Sequence, residues 1–363
     1  MAASVRGWRE GGGDMQLEWR AGRIAKLESQ WRQLRLPEAE GMTQPRALAL
    51  NLICRAHDEA DAGRIAQQLW DLGPHHPARV FLIAPGDAAV RVCVAAHPGG
   101  SEMVSLCGLP ERMPSIVAPL LACDLPVLLL WRAGDPSGNG EFMAWASLSG
   151  RILVDAHRLH LPAARLTQLA QSMPGNTTIG DLTWTRLTPW RHLVCQGLEG
   201  ELANPASIEA VTVSAGGIGD PADSGGSLAA TMMAGWMAQK LQWQSGERTR
   251  EGLRLNRPQG APVLLRFEPA SSHECLLKHI IIEGGSPRTV VAIEHRGPHI
   301  GITIRQGEAV VGEWTGTSAG DMLLRGEAAT LSEELSIHRA DRLFQLALER
   351  GLALMAGWEA AAA

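Results

Sequence analysis

The segment Asp181-Leu-Thr-Trp-Thr-Arg-Leu-Thr-Pro-Trp-Arg191 is the densest polar and aromatic cluster in the chain. Guanidinium groups bind carboxylates and phosphates through paired hydrogen bonds, and Trp and Arg are common anchors at protein interfaces. Arg186 and Arg191 therefore read as candidate contacts, with Trp184 beside them. Thr188-Pro189 has the form of a helix start, threonine as cap and proline in the first turn. From that start Trp190, Leu193, Val194 and Leu198 share one apolar stripe, which assigns Trp190 to a core and Arg191 to its flank. Leu182, Trp184 and Arg186 alternate as in a strand, while Asp181 equally suits the cap of a short helix. Both readings stay open.

Two further candidates end apolar runs. Arg132 follows Val127-Leu-Leu-Leu-Trp131, and Asp155 closes Arg151-Ile-Leu-Val-Asp155. Open α/β sheets place their ligand crevice at the carboxyl ends of strands, where both side chains would lie. His157 and His160 beside Asp155 have a spacing that could hold a metal ion, but no further ligand cluster joins them. They read as a solvated strand end, and His75-His76-Pro77 reads as a turn. Gly217-Ile-Gly-Asp-Pro-Ala222 formally matches G-x-G-x-x-A after a strand. A working dinucleotide loop opens its helix inside the motif, whereas Asp220 and Pro221 interrupt this one, so it reads as a flexible loop. No cofactor and no metal are expected. The chain lacks G-x-S-x-G, the Walker loop and H-E-x-x-H, and it has no tyrosine for phenolic acid–base chemistry. No catalytic residue is assigned.

The elements that must position these groups follow from periodicity. Met15–Leu34 carries Ile24, Leu27, Trp31 and Leu34 at helical spacing. Arg46–Cys54 and Ala78–Ala84 are apolar strands, joined by a helix that Asp58 caps and Gly73-Pro74 closes. Val90–Ala96 and Glu102–Cys107 form an antiparallel extension, Met113–Ala122 is helical, and Val127–Trp131 is a central strand buried on both faces. The helix Pro162–Met173 is expected to cover the strand ending at Asp155. Beyond it come the strand Ile208–Ser214, a helix from about 227 to Trp243, and strands at Pro262–Phe267, Leu276–Glu283, Thr289–His295 and Ile300–Arg305. The last three predict an antiparallel meander, and a final helix capped at Ser332 runs to Met355. The expected architecture is an α/β N-terminal domain with a mostly parallel, Rossmann-like sheet, followed by an α+β C-terminal domain with an antiparallel meander. Residues 1–13 read as a disordered start, 14–200 as the first domain and 201–363 as the second.

Composition excludes some classes. A net charge of −5 without long basic runs does not suit nucleic acid, and no apolar run is long enough to span a membrane. The start of the chain lacks the apolar core of a signal peptide, so a cytoplasmic protein is expected. Six cysteines without a C-x-x-C motif read as buried, reduced thiols.

A longer ordered pattern runs through the chain: Asn51-Leu52, His76-Pro77-Ala78-Arg79, Pro119-Leu120-Leu121, Asp124-Leu125-Pro126, Trp131-Arg132, Val154-Asp155, the Asp181–Arg191 segment, Ala234-Gly-Trp-Met-Ala238 and Leu241-Gln-Trp243. This pattern resembles the OpcA family over most of the chain. The resemblance implies a noncatalytic assembly factor and allosteric activator, with glucose-6-phosphate dehydrogenase of the oxidative pentose phosphate pathway as its partner. Ser101 departs from the family pattern, which has cysteine there, so thiol switching through that position is not expected. For such a role Arg132, Asp155, Asp181, Trp184, Arg186 and Arg191 form the candidate partner- or ligand-binding set. A different class would be a sensor or enzyme that binds a sugar phosphate or nucleotide in the first-domain crevice near Arg132 and Asp155.

Overall fold

The computed structural model describes residues 20–21, 48–72, 76–87, 90–96, 101–199, 202–216, 218, 224–270, 276–297, 299–315, 326–337 and 340–359. Contacts divide the chain into two compact units. One holds the described residues up to Val154, with Ser172–Gly180 and Leu331–Ala340; the other holds Asp155–Gln171, Asp181–Thr330 and the described residues from Asp341. The helices within 182–197 thus group with the second unit, whereas the sequence suggested a boundary near 200.

In the first unit, eight strands form one sheet: β1 (Arg20–Ala21), β2 (Leu50–Arg55), β3 (Ala78–Pro85), β4 (Arg91–Ala96), β5 (Glu102–Gly108), β6 (Val127–Trp131), β7 (Arg151–Val154) and β8 (Thr178–Asp181). Their order is β1-β4-β5-β3-β2-β6-β7-β8, with β5, β3, β2, β6 and β7 parallel and β4 antiparallel to β5. Without β1 and β4, that is the order of a doubly wound Rossmann sheet, whose direction of winding reverses between β2 and β6. The mostly parallel sheet expected from the sequence is present. Apolar runs on β2, β3 and β6 are buried because helices cover both faces of such a sheet. Helix α1 (Glu59–Leu72) follows β2 and opens where the Asp58 carboxylate accepts from the Asp61 amide at 2.7 Å. Two more helices, α2 (Met113–Val117) and α3 (Gly140–Ala146), flank β6, and the Asn139 side chain caps α3.

The helix expected over Met15–Leu34 is corrected at Arg20 and Ala21, which are extended and pair antiparallel with Val92 and Arg91. An open sheet edge offers those backbone groups partners that helical periodicity does not take into account. The remainder of that segment, the expected disordered start at 1–13 and the loop at 219–223 lie outside the described residues.

In the second unit, strands β9 (Ile208–Ala215), β10 (Leu253–Leu255), β11 (Val263–Pro269), β12 (His279–Gly284), β13 (Thr289–Arg296), β14 (His299–Gln306) and β15 (Ala309–Thr315) form a sheet of order β10-β11-β9-β12-β13-β14-β15. The β9–β11 pair is parallel and the other pairs are antiparallel, so the expected meander exists as β12-β13-β14. The sequence reading missed β15, whose Val310, Val311 and Trp314 are exposed and so lack the alternation of a half-buried strand. The other helices that lie wholly in this unit are α4 (Ala163–Gln171), α5 (Leu182–Arg186), α6 (Thr188–Gly197), α7 (Ser224–Lys240) and α9 (Arg342–Glu359). Helix α4 packs against α9.

The single final helix expected from Ser332 is also corrected. Helix α8 (Gly326–Leu335) ends, and α9 begins where Asp341 accepts from the Phe344 amide at 3.0 Å. Ser332 lies inside α8, and its hydroxyl meets His76 Nε2 at 2.8 Å, so it serves a tertiary contact rather than a cap.

Candidate functional site

The winding reversal between β2 and β6 is where a Rossmann sheet receives a dinucleotide, with the pyrophosphate on the first βα turn. Here that turn reads Arg55-Ala-His-Asp-Glu59 and contains no glycine. Arg55 is buried and grips Glu141, the Nε–Oε1 distance being 2.5 Å and the Nη2–Oε2 distance 3.1 Å. Its guanidinium also lies 5.9 Å from the Trp131 ring centroid. From the adjacent strand end, Arg132 donates to Asp61 Oδ1 at 2.8 Å, both side chains being buried. Glu59 and Asp61 lie in the first turn of α1, where a pyrophosphate would need unopposed amides and positive charge. Ion pairs therefore fill the crevice, and its residues do not fit a dinucleotide.

Among the sequence candidates, the structure brings Asp155, Asp181, Trp184, Arg186 and Arg191 together in the second unit, while Arg132 belongs to the first. The β8 strand ends at Asp181, which caps α5, so the helix alternative for this segment is the one observed. Asp181 is fully buried, and its Oδ1 accepts from the amides of Ala156 (2.9 Å) and Thr183 (3.2 Å). Its Oδ2 has no hydrogen-bond partner among the described residues. Burial, opposed in part by those amide bonds, pushes the Asp181 carboxyl up to about 7. Asp155, also buried, receives a bidentate grip from Arg186, Nη1 to Oδ1 at 2.7 Å and Nη2 to Oδ2 at 2.6 Å. Such forked pairs fix orientation as well as charge.

One turn further along, Arg191 lies over the Trp184 indole with its Cζ 3.7 Å from the ring centroid. It also donates to the Trp184 carbonyl at 2.8 Å and to the Thr188 hydroxyl at 2.9 Å. That use of Thr188 replaces the capping role expected from the sequence. Trp184 is only 2% exposed; its Nε1 donates to Asp341 Oδ2 at 2.9 Å, and its ring meets Phe344 at 6.1 Å between centroids. Its expected place on a contact surface is corrected, because the side chain is buried and its Nε1 and one ring face are used internally. Asp155, Asp181 and Arg132 are likewise buried, which leaves Arg186 and Arg191 as the partly exposed members of the set. Trp190, as expected, is core.

Asp61, Glu141, Asp341 and Phe344 complete these networks and were not singled out from the sequence. Asp61 is separated from Arg132 by 71 positions, Glu141 from Arg55 by 86 and Asp341 from Trp184 by 157, and no local pattern reports such pairings. Asp61 did carry a signal, an acid three residues after the capping Asp58. Of the cysteines whose side chains are described, Cys54 and Cys107 are buried, whereas Cys123 and Cys195 are exposed, contrary to the expectation of burial. Burial pushes the Cys54 thiol far up, which makes it inert.

These features define a two-unit protein in which a Rossmann-like sheet, its cofactor crevice filled by ion pairs, is joined in one chain to an α+β unit on a mostly antiparallel sheet. Residues 71–171 match a family model described as the glucose-6-phosphate dehydrogenase subunit N-terminal domain, and residues 177–348 match the corresponding C-terminal domain. The chain belongs to the OpcA family. It is similar to the putative OxPP cycle protein OpcA of Nostoc punctiforme, 26% identical over 196 residues, covering 50% of this chain and 41% of that protein. A namesake from Synechocystis is 30% identical over 133 residues, covering 37% of this chain and 27% of that protein. Each match thus spans less than half of the relative's length. Among solved structures, a levoglucosan dehydrogenase complexed with NADH and levoglucosan is 12% identical, with a TM-score of 0.49 over 86% of this chain and 97% of that one. An NAD-binding oxidoreductase from Klebsiella pneumoniae is 12% identical, with a TM-score of 0.47 over 87% of this chain and 98% of that one. Likeness at this level carries nothing about chemistry.

Proposed function

We propose that this chain is a noncatalytic, cytoplasmic assembly factor and activator of glucose-6-phosphate dehydrogenase in the oxidative pentose phosphate pathway. The observation that carries the reading is the consecutive match of residues 71–171 and 177–348 to the two domain models described for a subunit of that dehydrogenase. Ion pairs in the crevice support it, because a sheet of this order works as a dehydrogenase only when that space takes a cofactor. An activator must bind the active or assembled form of its partner better than the inactive form, since equal affinity shifts nothing. We assign part of the contact surface to the exposed edges of Arg186 and Arg191, with Asp155, Asp181 and Trp184 holding them in place.

The test mixes the purified chain with dehydrogenase from the same cell and follows complex size and activity. The expected result is a larger complex and raised activity. No complex and no change in activity would sink the reading. Replacing Arg186 alone strands a buried carboxylate at a cost of about 3 to 5 kcal/mol, so the contact test uses Asp155→Asn with Arg186→Gln, plus Arg191→Gln. Thermal unfolding confirms that the variant is folded. A folded triple variant that binds and activates as the parent does would remove the surface assignment while leaving the partner in place.

A further inference from the structure

Each sheet ends on strands whose outer backbone groups could pair with another chain. Three of the four edges are short: β1 has two residues, β10 three and β8 four. The outer side of β10 is also occupied, since Gln244 bridges Asn256 and Arg248 bridges Leu253. The fourth edge, β15, runs for seven residues, and no described strand pairs with its outer side. Val310 and Val311 are each 54% exposed and Trp314 38%, and these are the large apolar side chains exposed among the described residues. Natural proteins blunt edge strands with lysine or proline, and Ala309–Thr315 contains neither. An edge of this kind is an aggregation hazard unless a specific strand covers it.

The charges beside the edge indicate which strand that is. In the β14–β15 register Val310 lies opposite Arg305 and Glu313 opposite Thr303. Positions 303 and 305 of β14 point to the same side, so Arg305, Val310 and Glu313 share one face of the sheet. Arg305 is exposed and forms no ion pair among the described residues, while the Glu313 side chain is 59% exposed and accepts from Arg296 at 2.9 Å. A base thus lies beside one end of the strand and an acid at the other. Between them the register steps from Ile304–Gly312 to Arg305–Val310, which makes Val311 the extra residue of a bulge. A strand from another protein would have to supply both charges in the matching order. A second copy has them by symmetry.

We propose that β15 is a homodimer edge, on which two copies of the chain pair their β15 strands antiparallel and join their seven-stranded sheets across a twofold axis. With Val310 opposite Glu313 of the second copy, Ala309 meets Trp314 of the second copy, and the two Val311 residues lie together near the axis. Arg305 then faces Glu313 of the second copy across two strand spacings, about 10 Å, which the two side chains span between them. No like charges stand directly opposite each other in this register. One strand pair is smaller than a standard interface, so dissociation in the micromolar range is expected.

The experiment uses the full chain without dehydrogenase, so its outcome does not depend on the partner reading. Sedimentation velocity from about 1 to 100 µM, the range that brackets micromolar dissociation, is expected to show the mass rising from one chain to two. Val311→Lys changes an exposed residue, should leave thermal unfolding unaltered, and is expected to stay monomeric throughout. Arg305→Glu should raise the dissociation constant at least about fivefold, because it sets two acids against each other. Val311→Cys under mild oxidation is expected to form a covalent dimer on a non-reducing gel. Glu308→Cys, which lies far from its counterpart in this register, should stay at the background set by the exposed Cys123 and Cys195. A chain that remains monomeric at every concentration, a dimer that survives Val311→Lys, parent-like affinity in Arg305→Glu, or equal cross-linking at 308 and 311 would each overturn the assignment.

Discussion

Asp181 is buried on every side, yet its neighbourhood satisfies only one of its two oxygens among the described residues. The unfolded carboxyl has an ordinary value of 3.8, and burial raises it to about 7 in the folded chain. The folded state therefore holds more protons between these values, and stability falls as pH rises through that window and levels off above it. Asp181→Asn keeps the oxygen that caps α5 and removes the charge. We expect the variant to be more stable than the parent above about pH 7 by a few kcal/mol, with the difference shrinking toward pH 4. Urea denaturation across this range measures it; a parent whose stability climbs through the same window would contradict the assignment. The residue types of this site were legible in the sequence, but their exposure was not. Trp184 looked like a contact residue because Trp and Arg adjoin in the chain, whereas Arg191, Asp341 and Phe344 enclose it.

The α7 and α9 helices cross so closely that the family-like stretch Ala234–Ala238 acquires a packing explanation. A Cβ on Gly235 would sit 1.9 Å from the Ala347 carbonyl oxygen and 2.5 Å from the Gly351 amide nitrogen, backbone atoms that cannot swing away. Gly235→Ala is expected to cost about 1 to 3 kcal/mol through overpacking, even though alanine is the better helix former. Chemical denaturation checks this; a neutral or stabilising result would mean that the helices separate freely. At this scale the sequence was informative wherever an element had one buried face. The β2, β3, β6 and β12–β14 runs followed their apolar patterns. Edge elements escaped it: β15 has no buried face, and Arg20–Ala21 take their extended form from a neighbouring strand.

Across the whole molecule, the first unit keeps the strand order of nucleotide-binding proteins while its crevice holds Arg55–Glu141 and Arg132–Asp61. Fold and cofactor chemistry are separable, because strand order follows from packing and handedness whereas the ligand site rests on a few side chains. We expect titration with NADPH to give no saturable change in nucleotide fluorescence; binding with a midpoint in the micromolar range would return the chain to the cofactor-using class. Fold class, the parallel then antiparallel sheets and the family resemblance were determined by the sequence itself, since periodicity and ordered motifs are properties of neighbouring residues. Tertiary structure decided which arginine meets which carboxylate, that Trp184 is interior, and that the helices following Asp181 join the second unit. Ion pairing and burial depend on distances between residues far apart in the chain, and those distances exist only once the chain has folded.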